Sequence, residues 1–327
     1  MRILIVTPAA AGSTKGNRIT AERWATLLSQ LEHEVRIETG CVDGDFDCMI
    51  TLHATRSHPS MVAFQKSCPG KPIALCLTGT DLHLDLVGKR SDDSMRIARE
   101  SLKLCDRIVL LEPGGARQLP AEFQDKVVVI VQSANAVEQR SKPSPELFGE
   151  FVICIVGHLR TEKDPFLAAE ASRLLPADSR ITIAHYGEAL SPEIEEQARQ
   201  LTETNPRYAW HGPLAHFETM QKIAASQLML LTSRVEGAPS VISEAIVNTV
   251  PVLATKIPAS IGLLGSDYPG LFPVGDTKSL FQMMLRAERD AKFLESLKHY
   301  VASLAPRFSA DVEKKSLGDL LSLLCRT

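Results

Sequence analysis

Paired cysteines are missing from this sequence. Its seven cysteines are scattered and odd in number, with no CxxC pair. That excludes a disulfide framework and points to reduced thiols in a cytoplasmic protein. Cys76, Cys105 and Cys154 sit in or beside apolar runs and read as core packing. No uninterrupted apolar stretch approaches the length of a membrane span. The N-terminal Met1-Arg-Ile-Leu-Ile-Val-Thr-Pro8 is too short for a signal-peptide core and has no cleavage site, so it reads as a first buried strand. A surplus of positive charge is also missing. The net charge is -3 and the isoelectric point about 6.3, which argues against bulk nucleic-acid binding. There are no repeats and no low-complexity tracts. What remains is a globular composition, 44% hydrophobic and 23% charged, in 327 residues, enough for two domains.

The first half alternates short apolar runs with helical patterns. Strands are expected at Arg2–Val6, Val35–Glu38, Cys48–Leu52, Ile73–Leu77, Arg107–Leu111 and Val127–Val131, with helices at Ile19–Leu31, Pro59–Ser67 and Asp93–Leu104. Such alternation implies a mostly parallel sheet. The polar, proline-rich Gln139-Arg-Ser-Lys-Pro-Ser-Pro-Glu146 reads as a linker. A second series follows. It has strands at Phe151–Val156, Ile181–Tyr186, Tyr208–Trp210, Leu228–Leu231 and Val250–Ala254, and helices at Asp164–Leu175, Glu193–Glu203 and His216–Ala225. Terminal helices are expected at Ser279–Tyr300 and Ala310–Leu324. Two Rossmann-like domains follow, over residues 1–140 and 141–305, with residues 306–327 as a terminal helix.

The densest local signal is Glu236-Gly-Ala-Pro-Ser-Val-Ile-Ser-Glu244, which places two carboxylates across a loop and the start of a helix. A strand, a Gly/Pro turn, a helix and a second strand put backbone N–H groups at a helix N-terminus, a natural anion site. Gly237 lets the backbone approach a ligand and Pro239 suits the first helical turn. Acidic groups beside an anion site suit a ligand carrying both phosphate and hydroxyls, such as a sugar nucleotide. The bland alternative is solvated surface charge.

Three further segments carry chemistry. Gly157-His-Leu-Arg-Thr-Glu-Lys-Asp-Pro165 follows a strand and opens a helix. Arg160 offers a planar fork and Lys163 a point charge, although a capped helix with exposed charges has the same look. Pro8-Ala-Ala-Ala-Gly-Ser-Thr-Lys-Gly-Asn-Arg-Ile-Thr20 joins the first strand to the first helix. It is neither a Walker A loop nor a GxGxxG fingerprint. Its Gly12, Ser13, Thr14, Lys15, Gly16, Asn17 and Arg18 form a cradle for a small oxyanion, or a solvated loop. Leu77-Thr-Gly-Thr-Asp-Leu82 ends a strand, where open α/β sheets bind ligands. Thr80 and Asp81 are its favoured candidates, with turn capping as the alternative for Asp81. His53 also ends a strand, facing an acceptor or satisfied within the core. The Asp43, Asp45 and Asp47 run lacks the further ligands of a calcium loop and reads as a solvated turn. His211 and Gly212 follow a short strand of the second half.

The run Ser233–Ala245 resembles the Glu-x7-Glu motif of GT-B glycosyltransferases of the GT4-like family, and Gly157–Lys163 resembles that family's Gly-x-Leu-x-x-x-Lys segment. The resemblance implies an α/β GT-B fold, with two Rossmann-like domains whose parallel sheets face a central cleft. It implies a UDP-sugar-dependent hexosyltransferase. Arg160, Lys163 and Glu236 would be catalytic. Gly157, Arg160, Lys163, Glu236, Gly237, Ala238, Pro239, Ser240, Glu244, Thr80 and Asp81 would bind the donor, with Glu236 on the sugar and Glu244 on the ribose.

A closer resemblance runs over nearly the whole chain. Lys15-Gly-Asn-Arg-Ile-Thr-Ala-Glu-Arg-Trp-Ala25, Leu52-His-Ala54, Leu77–Leu82 and His158–Pro165 are similar to the selenosugar synthases of selenoneine biosynthesis. This implies transfer of N-acetylglucosamine or glucose to selenophosphate, with Gly12–Arg18 and His53 on the acceptor side. A pre-formed anionic nucleophile needs positioning more than a general base, which a basic, glycine-rich loop suits. With the Asp43, Asp45 and Asp47 run read as a solvated turn, no DxD-type metal site is evident, so metal-independent chemistry without a cofactor is expected, as are small-molecule partners only, without nucleic acid or membrane. An ordinary GT4-like transferase with another acceptor, and a non-catalytic nucleotide-sugar-binding protein, remain as alternative readings.

Overall fold

A computed structural model of the chain describes residues 1–13, 16–138 and 149–325. Thr14, Lys15 and the linker expected at residues 139–146 lie outside the described residues. The chain forms two compact units. One comprises Met1–Ser133, Glu236–Ala238 and Ser309–Thr327, the other Ala134–Val235 and Pro239–Phe308.

The first unit is built on β1 (Arg2–Val6), β2 (Glu34–Glu38), β3 (Cys48–Leu52), β4 (Ile73–Leu77), β5 (Arg107–Leu110) and β6 (Val127–Val129). They form a parallel sheet in the order β2-β1-β3-β4-β5-β6. At its centre β3 and β4 are buried throughout and read as apolar runs, while the edge strand β2, Glu34-Val-Arg-Ile-Glu38, alternates charged with apolar residues. On β1, Leu4 and Val6 join one core with Met61, Phe64 and Leu102, while Ile3 and Ile5 join the opposite core with Trp24, Leu28 and Leu317. The helices are α1 (Gly16–Gln30), α2 (His58–Ser67) and α3 (Asp92–Leu104). A π-helical turn at Asp81–Asp85 follows β4 and was not expected from the sequence.

The second unit carries β7 (Phe151–Val156), β8 (Ile181–Tyr186), β9 (Tyr208–Trp210), β10 (Leu228–Leu231), β11 (Val252–Thr255) and β12 (Leu271–Phe272). This sheet is also parallel, in the order β12-β11-β10-β7-β8-β9. Its helices are α4 (Leu167–Ser172), α5 (Pro192–Thr204), α6 (His216–Ala225), α7 (Ser240–Val247), α8 (Pro258–Leu264), α9 (Thr277–Arg289) and α10 (Ala291–Leu304). Back in the first unit, α11 (Ala310–Leu324) packs on α1. Its buried Glu313 accepts hydrogen bonds from Trp24 Nε1 at 2.8 Å and Ser133 N at 2.7 Å.

Two expected helices are corrected. The one placed at Asp164–Leu175 begins only at Leu167. Asp164 is left-handed (φ 45°) and precedes Pro165, whose ring disfavours helical backbone in the residue before it. The helix placed at Ser279–Tyr300 is two helices joined at Asp290. Its N–H donates to Arg286 O and closes α9, while its carboxylate accepts from Phe293 N and caps α10. Among the described residues no helix is long and apolar enough to cross a membrane.

Candidate functional site

In the second sheet the chain builds β8 and β9 on one side of β7, then returns to add β10, β11 and β12 on the other. The strand order therefore reverses between β7 and β10. Open α/β sheets bind ligands outside the carboxyl ends of strands at such a reversal. Here that edge carries Gly157, next after β7, and Thr232 and Ser233, next after β10. Together with Lys163, Pro165 and His185 they line one small pocket.

The basic residues of the Gly157–Pro165 segment are held at this edge from below. Arg160 is extended (φ -154°) and precedes a single 3-10 turn, Thr161–Lys163. The Lys163 carbonyl accepts from Thr232 Oγ1 at 2.9 Å, and Arg234 N donates to Glu162 O at 2.8 Å. Arg234 Nη2 also lies 2.8 Å from Asp164 Oδ2. The loop is thus stitched to the end of β10 by main-chain and hydroxyl bonds and by the Arg234–Asp164 ion pair. Arg160 Nε is buried and has no hydrogen-bond acceptor among the described residues. A buried guanidinium donor without an acceptor is costly, and an anion bound at this edge would supply one.

Pro239 immediately precedes α7 at the N-cap (φ -70°), one position before the first helical turn expected for it, and Ser240 is the exposed first helical residue. Glu244 follows on the same helix with 7% exposure. Its carbonyl accepts from Asn248 Nδ2 at 2.8 Å, and its Oε1 lies 3.3 Å from Nε2 of His216, the first residue of α6. Nothing in the sequence spacing connects His216 with Glu244. The same holds for Thr232 and Ser233, whose only sequence signal is that they end an apolar strand run.

The first unit has its own reversal, between β1 and β3. The loop after β1 carries Gly12, left-handed at φ +78°, and Ser13, whose N–H donates to Ala10 O at 3.2 Å. Gly16, Asn17 and Arg18 form the first turn of α1, which starts earlier than the expected Ile19. Arg18 Nε donates to Glu22 Oε1 at 2.6 Å, so part of its guanidinium is engaged along its own helix. Thr14 and Lys15 are outside the described residues.

Next to β3, His53 adopts φ +76° and is 1% exposed. Its Nδ1 lies 3.3 Å from Arg56 N, which only donates, so the ring proton sits on Nε2 and is directed to Thr80 Oγ1 at 3.1 Å. Burial pushes its pKa below the usual value. Both ring nitrogens are therefore engaged within the protein. Asp81 is fully buried, and its carboxylate accepts from the N–H groups of Ala54, Thr78, Gly79 and Leu82 at 2.9 to 3.1 Å. These bonds have the form of the turn cap that was the alternative reading of this residue.

Glu236, Gly237 and Ala238 group with the first unit. A Cβ on Gly237 would stand 2.4 Å from Thr78 O. This close approach to the protein's own backbone is a second reason for a glycine at that position. Ala238 packs against the core that contains Trp24, and Glu236 is half-buried. Gly157, Lys163, Ser240 and Glu244 thus belong to one unit, and Gly12, Gly16, Asn17, Arg18, His53, Thr80 and Asp81 to the other.

The model of the family "Glycosyl transferases group 1" matches residues 137–303. No curated protein sequence matches the chain significantly. Among solved structures, HepE of Anabaena, in complex with UDP and glucose, aligns with a TM-score of 0.75 at 18% identity, covering 98% of this chain and 99% of that one. Sucrose-phosphate synthase from Thermosynechococcus elongatus aligns at 0.79 with 14% identity, covering 99% of each chain. An α,α-trehalose-phosphate synthase (UDP-forming) from Burkholderia vietnamiensis aligns at 0.69 with 12% identity, covering 95% of this chain and 78% of that one. At these identities the likeness establishes the fold, which is GT-B.

Proposed function

The chain belongs to the glycosyl transferases group 1 family, and we propose that it transfers N-acetylglucosamine or glucose from a UDP-sugar to selenophosphate. The observation that carries the donor half is the buried, unpartnered Arg160 Nε at the β7–β10 reversal, in the same unit as the nearly buried Glu244 on α7. A cationic strand edge and a carboxylate suit a ligand with a diphosphate and vicinal hydroxyls. Structures of HepE with UDP and with UDP-glucose support the choice of nucleotide. In this reading Arg160 and Lys163 neutralise charge that develops on the departing diphosphate. Glu244 accepts from the ribose hydroxyls and Glu236 from those of the sugar. The proposed chemistry uses neither a metal nor a cofactor.

The acceptor half rests on the loop from Lys15 to Arg18. A selenium lone pair attacks the anomeric carbon, and the bond from that carbon to the UDP oxygen breaks with its electrons passing to UDP. Water then cleaves the P–Se bond, releasing phosphate and leaving a 1-selenosugar. Lys15, Asn17 and Arg18 hold the phosphoryl end. The ion pair between Arg18 and Glu22 favours a second reading, in which the acceptor is a less highly charged group such as an alcohol.

UDP release by the purified protein, measured with a chelator present throughout, tests both halves. Release is expected with selenophosphate and a UDP-sugar. Lys15→Ala is expected to raise KM for selenophosphate at least about tenfold, as for loss of a charge-assisted hydrogen bond, and to leave KM for the UDP-sugar within about twofold. Release only with an alcohol acceptor would replace the acceptor assignment. Equal effects of the substitution on both substrates would remove the role given to the loop.

A further inference from the structure

Beneath the pocket at the end of β7 lies a pair of buried polar rings that the proposed chemistry does not use. His185, on β8, is 2% exposed, and Tyr208, on β9, is equally buried. Tyr208 Oη is 2.9 Å from His185 Nδ1, and His185 Nε2 is 3.3 Å from Gly157 O. The rings meet edge to face, with centroids 6.0 Å apart. Burial lowers the histidine to about 4 and raises the tyrosine, so both rings are neutral near pH 7.

The direction of the chain of bonds follows from elementary chemistry. A carbonyl oxygen has no proton to give, so Nε2 must carry the ring proton and donate it to Gly157 O. A neutral imidazole then has only an acceptor at Nδ1, and the Tyr208 hydroxyl must donate to it. Phenol, imidazole and carbonyl form a one-way relay ending on Gly157. The same carbonyl is confined from another direction: a Cβ on Gly187 would stand 2.0 Å from Gly157 O. Gly157 N–H donates to Tyr186 O at 2.9 Å.

Every polar atom of Gly157 is therefore fixed. A planar trans peptide sets its N–H opposite its C=O, so anchoring Gly157 O also fixes the orientation of the His158 N–H, at the start of the loop that leads to Arg160 and Lys163. Two apolar side chains would fill this space without the desolvation cost of two polar rings. We infer that His185, set in its tautomer by Tyr208, is a positioning residue for the donor-diphosphate loop. This rests on the donor reading given above, because the loop matters to binding only if the diphosphate docks there.

The test is calorimetric titration of UDP into the full-length protein and its His185→Leu, His185→Gln and Tyr208→Phe variants, with Glu244→Ala as a donor-site control and thermal midpoints recorded for all. Leucine removes the donor to Gly157, phenylalanine frees the tautomer, and glutamine keeps an N–H near the position of Nε2. His185→Leu and Tyr208→Phe are expected to weaken UDP about fivefold or more, and His185→Gln to recover binding to within about twofold of wild type, on the usual scale of one hydrogen bond. Unchanged UDP affinity in the His185 and Tyr208 variants, beside a weakened Glu244→Ala, overturns the positioning role and leaves the donor reading standing. So does a fall in thermal midpoint alone, or equal loss with leucine and glutamine. No UDP binding by the wild-type protein overturns the donor reading and this inference together.

Discussion

At the scale of single residues, the first unit holds a carboxylate at odds with its surroundings. Glu112 follows β5, is 1% exposed, and has one carboxylate oxygen buried without a hydrogen-bond partner among the described residues. Burial pushes its pKa up to about 7, opposed by hydrogen bonds from the N–H groups of Gly114 and Gly115. The folded state therefore binds this proton more tightly than the unfolded chain does. Its stabilising share is complete below the unfolded value near 4.5 and is lost as pH rises through about 7. His185, lowered to about 4, acts in the opposite sense: its share is present above about 6.5 and is lost as pH falls towards 4. Glu112→Gln removes only the first of these. It is expected to stabilise the protein at pH 8 by about 1–3 kcal/mol, the usual cost of an under-partnered buried polar group, with a smaller effect at pH 5. Urea denaturation at the two pH values checks this, and an equal effect at both would reject the titration of Glu112 as the cause.

At the scale of elements, the local pattern was a good guide to strands and a poorer one to helix ends. Periodicity alone placed β1, β3, β4, β7, β8, β9 and β10 at their observed bounds, because a strand buried on both faces is a short apolar run between polar turns. It ran α9 and α10 together, because the break at Asp290 is made by a capping carboxylate and not by glycine or proline. Asp290→Ala is expected to cost about 1 kcal/mol, typical of a lost N-cap, as a shift in the urea midpoint with the slope unchanged. A midpoint equal to wild type would mean that packing alone sets this junction. The π-helical turn at Asp81–Asp85 was equally hidden, since what organises it is a buried carboxylate receiving N–H groups from two separate strand ends.

At the scale of the whole molecule, each unit stands on its own parallel sheet, and in the first the closing element comes from the far end of the chain. Glu313 on α11 is fully buried and ties Trp24 of α1 and the main chain at Ser133 into one polar knot, with Arg23 3.3 Å away. Glu313→Ala leaves those donors without their acceptor and is expected to destabilise the first unit by about 3–5 kcal/mol. Chemical denaturation followed by Trp24 fluorescence would register it, and a loss below about 1 kcal/mol, the scale of an exposed pair, would show the knot to be incidental.

The amino-acid sequence by itself determined the alternation of strands and helices, the division into two α/β halves and the residue types at the motif positions Gly157, Arg160, Lys163, Glu236 and Glu244. These follow from periodicity, turn chemistry and short spacing, which are local properties of a chain. Only the tertiary structure decided the order of the strands. That order puts the reversal between β7 and β10 and brings Thr232 beneath Lys163, His216 to Glu244, and Tyr208 through His185 to Gly157. Parallel neighbours are joined by long crossovers, so their pairing is settled by packing between distant segments and leaves no mark at any fixed spacing.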